Sequence, residues 1–477
     1  MSGSRSDGGD AKKRRLSSLT RLTAPAPSVE ERLAMGKALR AQHPHEIHGE
    51  YRPSPQRPDP VAILAQQAKT RLPELVPIRH ARMLASPFAF LRGSAAAMAF
   101  DLSRTPVTGL TVQACGDMHV ANFGVFASAE RNLVFGINDF DETLPGPWEW
   151  DLKRLAASAV VAGRYLGGDK ELCEAAARAA VRSYRKRMRE YARMGSLAVW
   201  YTRISAEDIL SVIPADLRDR ARQVVAKARS RDNMQVLEKM SELVDDRHRI
   251  VEARPFIVRE THTADGRPIG PVIAATFRKY VDSLPDERRQ LIARYRIADV
   301  ARKVVGVGSV GTRCWVVLLT GNGPDDPLFL QMKEAQPSVL APYSKAPAWV
   351  SQGKRVVVGQ RLIQGAPDIF LGWCTDRVAG DFYVRQLRDM KGGSALDPAV
   401  TPLKSVPEYC KLCGWALALA HAKSGDPAVI AGYLGKSEGM DDAVARFAVA
   451  YAEQTDRDYD ALKKAARQKR IQVARLA

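Results

Sequence analysis

Five polar side chains lie where two apolar stretches of the chain end. Asp117, His119 and Asn122 follow LTVQAC, and Asp139 and Asp141 follow LVFGIN. Carboxylate and amide oxygens are the hard ligands that Mg²⁺ takes, usually together with phosphate oxygens and water. A further carboxylate that is not bound to metal can accept a proton from an attacking hydroxyl, so the set suits phosphoryl transfer. The alternative is a pair of strand ends capped by Asp and Asn, which are common turn residues.

The segment GVGSVG supplies a second set of candidate residues. Gly306, Gly308, Ser309 and Gly311 lie in it, and Lys333 follows in LFLQMK. Glycine lets a backbone approach phosphate closely, and a lysine on a facing strand could pair with the α- and β-phosphates of a nucleotide. The rival is a dinucleotide site, whose glycines would open a helix. The following residues, TRCWVVLL, favour a β-hairpin, and a hairpin without a ligand also stays open.

Several basic residues outside these segments are also candidates. Arg82 and Arg92 lie upstream of Asp117, and Arg385 and Lys391 lie in YVRQLRDMKG. An arginine at such a place could bind phosphate through two N–H groups, but a structural salt bridge is an equally good interpretation. His421 lies in an apolar helical run, where a histidine is more often a packed core residue.

The charge of the chain favours an anionic partner without choosing one. The 477 residues carry a formal net charge of +19, and a field of that sign attracts nucleotides, nucleic acids and acidic surfaces. No zinc-finger, recognition-helix or aromatic-plus-basic RNA motif accompanies the charge. A nucleotide is therefore the expected partner, and nucleic acid is possible but not favoured.

The sequence predicts a soluble protein of the cytoplasm. No apolar run is long enough to span a membrane, and no apolar segment follows the basic run AKKRRLSS as in a signal peptide. Six cysteines in so long a chain do not form a disulfide framework. Cys410 and Cys413 form one C-x-x-C in a helical window, which favours two packed thiols over a metal or redox site.

Composition along the chain predicts four parts. Residues 1–30 form a disordered basic tail. Residues 31–300 hold an N-terminal extension, the catalytic loop and metal-binding hairpin, and a helical lobe. Residues 301–395 form a β-rich nucleotide-binding lobe with the glycine loop and Lys333, and residues 396–477 form a helical segment.

Local patterns place the candidate residues on strands and turns. LTVQAC reads as a strand, and NFGVF and LVFGIND read as a hairpin across the turn ASAERN. A second β-rich block starting at Val304 reads as strand, glycine turn and strand in VVGVGSVGTRCWVVLLTG. The predicted fold class is α+β with two lobes and a large helical portion.

Together the motifs resemble the protein-kinase-like fold, especially its aminoglycoside-phosphotransferase branch, whose catalytic loop G-D-x-H-x-x-N is followed by I-D-F. The matching segments here are GDMHVAN and INDFDE. The resemblance implies Asp117 as the catalytic base and His119 as a brace of the loop. It implies Asn122 and Asp139 as magnesium ligands. Asp151, in WEWDLKRL, resembles the aspartate that supports the catalytic loop.

The order of the motifs departs from that of kinases. There the glycine loop and lysine precede the catalytic loop, whereas here Gly306–Gly311 and Lys333 follow it. This is the order of a circular permutation, which is physically allowed because the termini of a domain often lie close together. No helix glutamate is evident as a partner for the lysine, since Glu334 would point to the other face of a strand. By analogy, Gln360 and Arg361 lie near an adenine-binding hinge.

The chain more specifically resembles the bacterial DUF2252 family over about residues 30–465, through CGDMHVANFG, NDFDETLPGPWEWDLKRLAAS and VGVGSVGTRCWVVLL among other segments. The kinase-like resemblance implies an ATP- and Mg²⁺-dependent phosphotransferase acting on a small-molecule hydroxyl, with Asp141 at a second metal. The partners would be a nucleotide and an unknown small-molecule or protein acceptor. The alternatives are an AMP transferase of kinase-like fold, a nucleotide-binding regulatory protein without turnover, and a nucleic-acid binder.

Overall fold

The computed structural model describes residues 22–475, apart from residues 232, 246, 263–265, 377–379, 388–389 and 394–395. The chain is an α+β protein in which helix exceeds strand, as predicted. Most of the predicted tail, residues 1–30, lies outside the described residues. None of the described helices is long and apolar enough to cross a membrane.

Five helices form an N-terminal extension that precedes the acidic segments. Their bounds are α1 Val29–Gln42, α2 Pro60–Ala68, α3 Val76–Met83, α4 Pro87–Gly93 and α5 Ala95–Leu102. Helices α2 and α4 each begin with proline after a capping Asp59 or Ser86. Proline at the first helical position fits a helix start, because the missing N–H would have no partner there. The frequent prolines therefore keep these helices short.

The acidic segments lie at the ends of short antiparallel strands. These are β1 Thr111–Ala114, β2 Phe123–Ala127, β3 Leu133–Ile137 and β4 Leu144–Pro147. Strands β2 and β3 pair with Phe123 opposite Ile137, so the predicted hairpin is confirmed. Strand β1 pairs with β4. Both acidic segments therefore emerge from neighbouring strand ends.

Long helices form the body behind these strands. They are α6 Trp148–Tyr165, α7 Lys170–Tyr191, α15 Ser405–Ser424, α16 Pro427–Leu434 and α17 Gly439–Arg467. Alanine and glycine at the contacts let helices approach closely; a Cβ on Gly414 would lie 2.0 Å from the Ala180 carbonyl oxygen. All six cysteines are buried and free, Cys410 and Cys413 among them.

A six-stranded antiparallel sheet forms the second β-rich unit. Its order is β11-β12-β10-β9-β8-β7, with bounds β7 Ile257–Val258, β8 Arg296–Lys303, β9 Cys314–Thr320, β10 Pro327–Glu334, β11 Gly372–Asp376 and β12 Gly380–Gln386. Helix α14, Gln352–Ile363, connects β10 to β11. The expected start at Val304 is wrong, because the first long strand ends at Lys303. Its RIADVARK sequence lacks a strong apolar alternation, because Ile297 is exposed and the charged Arg302 is buried.

The remaining described elements connect the body to the sheet. They are the helices α8 Ser196–Tyr201, α9 Ala206–Val212, α10 Arg218–Arg229, α11 Asn233–Met240, α12 Ile269–Asp282 and α13 Asp286–Ile292, the strands β5 Ser241–Val244, β6 Arg247–Ile250 and β13 Gly392–Gly393, and the 3₁₀ turns His45–Gly49, Pro73–Leu75, Val120–Asn122 and Ala215–Leu217.

Candidate functional site

A buried aspartate holds the loop that follows β1. Asp151, in the first turn of α6, accepts hydrogen bonds from the backbone N–H of Cys115 at 2.6 Å and of Gly116 at 2.9 Å. His421 lies behind it, 3.3 Å from the Asp151 carboxylate and 2.8 Å from the Tyr184 hydroxyl. Because Asp151 is 1% exposed, its charge is fully committed to these contacts. Asp151 therefore braces the loop, and His421 is a core residue that supports it.

The loop itself is closed by internal hydrogen bonds. The Asn122 side-chain amide donates to the Asp117 carbonyl oxygen at 2.7 Å. The Val120 N–H donates to Ser158 Oγ, also on α6, at 3.0 Å. Because the Asn122 nitrogen is engaged in the loop, its carboxamide oxygen is the atom suited to a cation.

An arginine from the same helix holds the Asp117 carboxylate. Arg154 donates through Nε to Asp117 Oδ1 at 2.8 Å and makes a second contact through Nη2. Burial raises the pKa of Asp117, and Arg154 opposes that shift. His119 Nε2 lies 3.7 Å from the other carboxylate oxygen. Burial and then Arg92 and Arg154 hold the pKa of His119 well below its usual value, so its imidazole is neutral at pH 7.

Lys333 meets the second acidic segment. Its Nζ lies 2.7 Å from Asp141 Oδ2 and 3.9 Å from Asp139 Oδ1. The Tyr383 hydroxyl donates to Asp141 at 2.5 Å and Ser309 Oγ donates at 3.1 Å. Three residues of the second β-rich unit thus converge on one carboxylate that follows the first unit's hairpin.

The two carboxylates of this segment differ in their protonation. Burial raises the pKa of Asp141, but Lys333 and the Tyr383 hydrogen bond outweigh burial and hold that pKa below its usual value. Burial and then the charge of Asp141 raise the pKa of Asp139, which Lys333 only partly opposes. Asp141 is therefore the more readily ionised carboxylate of the pair, and Asp139 is the more readily protonated one.

Glu334 does not pair with the lysine. It lies on the opposite face of β10, where its carboxylate accepts from Arg313, through the backbone N–H at 2.9 Å and the guanidinium at 3.3 Å. Helix α14 offers Arg355, which donates to carbonyl oxygens of Asp141 and Thr143 at 2.8 and 2.6 Å. Lys333 pairs with Asp141 instead, and the sequence did not identify this pairing.

The glycine turn between β8 and β9 is held down by the N-terminal extension. Arg71 contacts the Val310 carbonyl oxygen, and the Leu72 N–H donates to Gly311 O at 2.8 Å. Gly311 has φ +91° and lies against Arg71; a Cβ there would be 3.0 Å from the Arg71 Cβ. Both the left-handed backbone and the close contact require glycine at this position.

Three adjoining cavities form a continuous cleft. The large cavity has a volume of about 510 Å³, and its lining residues include Phe126, Val305, Leu328, Gln331, Gln360, Arg385, Leu387 and Lys391. The lysine cavity, of about 110 Å³, is lined by Arg92, Asp117, His119, Asn122, Asp139, Val305, Gly306, Val307, Gly308, Ser309, Gln331, Lys333 and Arg385. The arginine cavity, of about 70 Å³, is lined by residues that include Arg71, Arg79, Arg92, Asp117, Asp139, Asp141, Glu142, Gly308, Ser309 and Glu334.

The cleft brings together nearly all of the sequence-predicted residues. Among them, five lie outside its lining: Arg82, Asp151, Gly311, Arg361 and His421. Asp151 and Gly311 each support a segment that lines the cleft. Arg82 donates instead to the Val305 carbonyl oxygen at 2.9 Å. A separate groove of about 680 Å³, lined by residues such as Arg40 and Arg189, shares no lining residue with the cleft.

Sequence reasoning missed Arg71, Arg79, Arg154 and Tyr383. Arg154 follows Asp151 by three positions, a spacing that puts two residues on one face of a helix, and that signal was available. The other three meet the site only through tertiary packing, and no local pattern marks them.

The donor set fits a magnesium ion that completes its shell with other ligands. No group of three or more His, Cys, Asp or Glu within the described ranges is arranged to hold a metal by itself. Asn122, Asp139 and Asp141 nevertheless offer hard oxygen atoms around one cleft. Mg²⁺ commonly takes one or two carboxylates from a protein and the rest from phosphate and water.

The fold and cleft define an α+β protein in which a braced acidic loop faces a glycine turn and a buried lysine. The family model described as "Uncharacterized protein conserved in bacteria (DUF2252)" matches residues 71–465, and the chain belongs to this family. The chain matches no curated protein and no solved structure at a significant level.

Proposed function

We propose that this protein is an ATP- and Mg²⁺-dependent phosphotransferase of protein-kinase-like fold in circularly permuted order, acting on a hydroxyl group. The observation that carries the proposal is the contact of Lys333 with Asp141 at 2.7 Å, between positions 192 residues apart. That contact lies in the same cleft as Asp117, Asn122 and Asp139. A phosphotransferase site needs these groups together: a base, metal ligands and a phosphate-binding lysine.

The arrangement of the sheet supports the kinase-like part of the proposal. A glycine turn joins β8 to β9, the lysine lies on the next strand, β10, and helix α14 follows before β11. Protein kinases carry a glycine loop over the phosphates, a lysine on the third strand and then a helix whose glutamate pairs with it. Arg355 occupies α14 here, and within the described part of the chain its hydrogen bonds go to three backbone oxygens and Gln352. Asp141 substitutes for the glutamate as the partner of the lysine.

The cleft accounts for each part of a magnesium nucleotide. Asn122, Asp139 and Asp141 would hold the cation, which supplies charge compensation for the phosphates. Lys333 and the backbone of the glycine turn would bind the phosphates. The large cavity adjoins the lysine cavity and includes apolar Val305, Leu328 and Leu387, which suit a base.

Asp117 would orient the acceptor hydroxyl and take its proton. Its Oδ1 is fixed by Arg154, its Oδ2 lies 3.7 Å from His119 Nε2, and the residue lines both the lysine cavity and the arginine cavity. The burial that raises its pKa makes it a better proton acceptor than an exposed aspartate. His119 is neutral, so it does not form an ion pair with the Asp117 carboxylate.

Ligand-dependent thermal stability tests the nucleotide site. Wild type, Asp139→Ala and the surface control Asp219→Ala are heated with ATP, ADP or GTP, with and without Mg²⁺. We expect Mg²⁺-dependent stabilisation by ATP in wild type and the control, and its loss in Asp139→Ala, because ligand bound only to the folded state raises the transition temperature. No shift of the wild type at millimolar nucleotide would contradict the proposal.

The position of the label in ATP separates the kinds of turnover. Label from the γ-phosphate entering an acceptor supports phosphoryl transfer, and label from the α-phosphate identifies adenylyl transfer instead. A regulatory protein without turnover would bind nucleotide but transfer neither label to acceptors in a cell extract. In that case Asp117→Ala would leave both the nucleotide affinity and the cellular phenotype unchanged.

A further inference from the structure

The arginine cavity is walled on one side by three guanidinium groups of the N-terminal extension. Arg71 precedes α3, Arg79 lies on α3 and Arg92 lies on α4. All three line the same cavity of about 70 Å³, next to Gly308 and Ser309 of the glycine turn. A cavity of this size has room for a few waters or for one tetrahedral oxyanion.

Arg79 is buried without a counter-charge. It is 1% exposed, and only its Nη2 is engaged, with Gly93 O at 2.8 Å and Gln67 Oε1 at 3.0 Å. Its Nε and Nη1 are buried without a hydrogen-bond partner among the described residues. Burial and then the neighbouring charge of Arg71 hold the pKa of Arg79 well below its usual value. A guanidinium in this state is costly unless an anion compensates it.

Arg71 and Arg92 share the unpaired nitrogens, although the charges of nearby carboxylates, chiefly Glu142 for Arg71 and Asp117 for Arg92, partly offset the burial of both. The Nε of each is buried without a partner among the described residues. Burial lowers the pKa of both. The buried Arg57 and Arg185 differ, because each holds carboxylate oxygens at 2.6–2.9 Å. The arrangement around the arginine cavity is therefore not the usual treatment of a buried arginine in this protein.

The carboxylates that line the same cavity are mostly committed elsewhere. The partners are Arg154 for Asp117, Lys333 for Asp141, Arg313 for Glu334 and the Val339 N–H for Glu142. Asp139 remains, and it is one of the residues that would hold the cation. The three arginines thus line the cavity while four of their nitrogens have no acceptor among the described residues.

The position of the cavity relates it to the reacting groups. It shares five lining residues with the lysine cavity, namely Arg92, Asp117, Asp139, Gly308 and Ser309, and it shares none with the large cavity. The lysine cavity is therefore the one that adjoins both of the others. A group bound there would lie beside Asp117.

We propose that Arg71, Arg79 and Arg92 form a binding site for a phosphoryl group beside Asp117. The group belongs either to a phosphorylated acceptor or to the terminal phosphate of the nucleotide. Only this assignment of the source rests on the proposed function; the site itself binds phosphate without a nucleotide. Planar guanidinium groups match phosphate oxygens through paired hydrogen bonds, and four buried N–H positions here await an acceptor.

Titration with inorganic phosphate tests the site. Calorimetry on wild type, Arg71→Gln, Arg92→Gln and the control Arg104→Gln is carried out without Mg²⁺ or nucleotide, at ionic strength matched with chloride. Arg104 lies in the same extension, stacks on Phe100 and lines none of the three cavities. We expect saturable phosphate binding in wild type and the control, weakened about tenfold or more in the two cavity variants. Circular dichroism confirms folding of each variant.

Competition identifies the source of the phosphoryl group. Phosphate binding that persists with saturating Mg²⁺ and a non-hydrolysable ATP analogue assigns the site to the acceptor. Phosphate that is displaced by the analogue but not by ADP assigns it to the terminal phosphate. Both results support the site.

Two results overturn the inference. The first is that the wild type binds phosphate no better than chloride. The second is that Arg104→Gln loses as much phosphate affinity as Arg92→Gln. Mg²⁺-dependent ATP binding with no phosphate-specific binding would end this inference and leave the proposed function standing. Phosphate-specific binding without Mg²⁺-dependent ATP binding would contradict the proposed function and leave this inference standing.

Discussion

The two walls of the cleft are built in different ways. The acidic loop on one wall is held by Asp151, Arg154 and Ser158, three buried polar side chains of a single helix. The glycine turn on the other wall is held mainly by the extension, through Arg71 and Leu72. The loop is thus part of the core of the helical body, whereas the turn depends on contacts that could break without unfolding that core. The difference separates a preorganised wall, which carries the proposed catalytic base, from a wall that depends on the extension and is proposed to bind phosphate.

The spacing on α6 explains the first wall. Asp151, Arg154 and Ser158 are three and seven positions apart, and such positions lie on one face of a helix. That face meets the loop, so one helix fixes its backbone N–H groups and its carboxylate together. Preorganisation of this kind lets a catalytic group act without rearrangement in the transition state.

Asp117→Asn should have the largest effect of these variants. It removes the proposed base and leaves unchanged the residues of α6 that support the acidic loop. We expect transfer to fall about 10²–10⁴-fold, because a general base is lost. Nucleotide affinity should stay near that of wild type, because Asp117 is not one of the proposed metal ligands. Single-turnover kinetics and calorimetry measure the two quantities. A variant that keeps more than a tenth of the activity would remove Asp117 from the role of base.

Asp151→Asn should break the support of the same wall. The change removes a charge that accepts two buried N–H donors, so we expect the free energy of unfolding to fall by about 3–5 kcal/mol. Urea denaturation measures it. His421→Gln is the matched control: it removes only the 3.3 Å contact behind the carboxylate and should cost about 1 kcal/mol. Equal losses in the two variants would mean that Asp151 does not carry the loop.

Glu142 lies between β3 and β4 and contacts Val339, which follows β10, so its titration tests the junction of the two walls. Burial raises its pKa from 4.5 to about 7, and its carboxylate accepts from the Val339 N–H at 2.7 Å. Between about pH 4.5 and 7 the unfolded chain ionises this group while the folded chain keeps it protonated. Stability should therefore fall by about 3 kcal/mol as pH rises through that window and level off above it.

Glu142→Gln should remove this part of the pH dependence. Urea denaturation at several pH values compares the variant with wild type, and the difference between them isolates Glu142 from other acids of the cleft. Parallel stability curves for the two proteins between pH 4.5 and 7 would show that the carboxyl titrates normally.

Gly311→Ala should have the smallest effect and tests the dependent wall. Alanine at φ +91° and 3.0 Å from Arg71 should cost about 1–2 kcal/mol and loosen the turn. Gly306→Ala is the control, because a Cβ there meets nothing within 4 Å and should change stability by less than about 0.5 kcal/mol. Denaturation measures both, and equal costs would contradict the account of the turn.

The local parts of the site were predictable from the sequence, and the tertiary parts were not. The β2–β3 hairpin and the outward direction of Glu334 follow from strand periodicity. The pairing of Lys333 with Asp141 does not, because it joins two units that only packing brings together. Arg71 and Arg79 lie among short helices interrupted by proline, where no periodic pattern distinguishes a cavity residue from a surface residue.

Affinity for Mg²⁺·ATP in a double-mutant cycle tests the central claim, that two distant segments form one nucleotide site. Calorimetry compares wild type, Asp139→Asn, Lys333→Met and the double variant. We expect each single change to weaken binding about tenfold or more, with a coupling between them above about 1 kcal/mol, because both groups contact the same ligand. Wild type without affinity at millimolar Mg²⁺·ATP, or single variants that bind as tightly as wild type, would contradict the account.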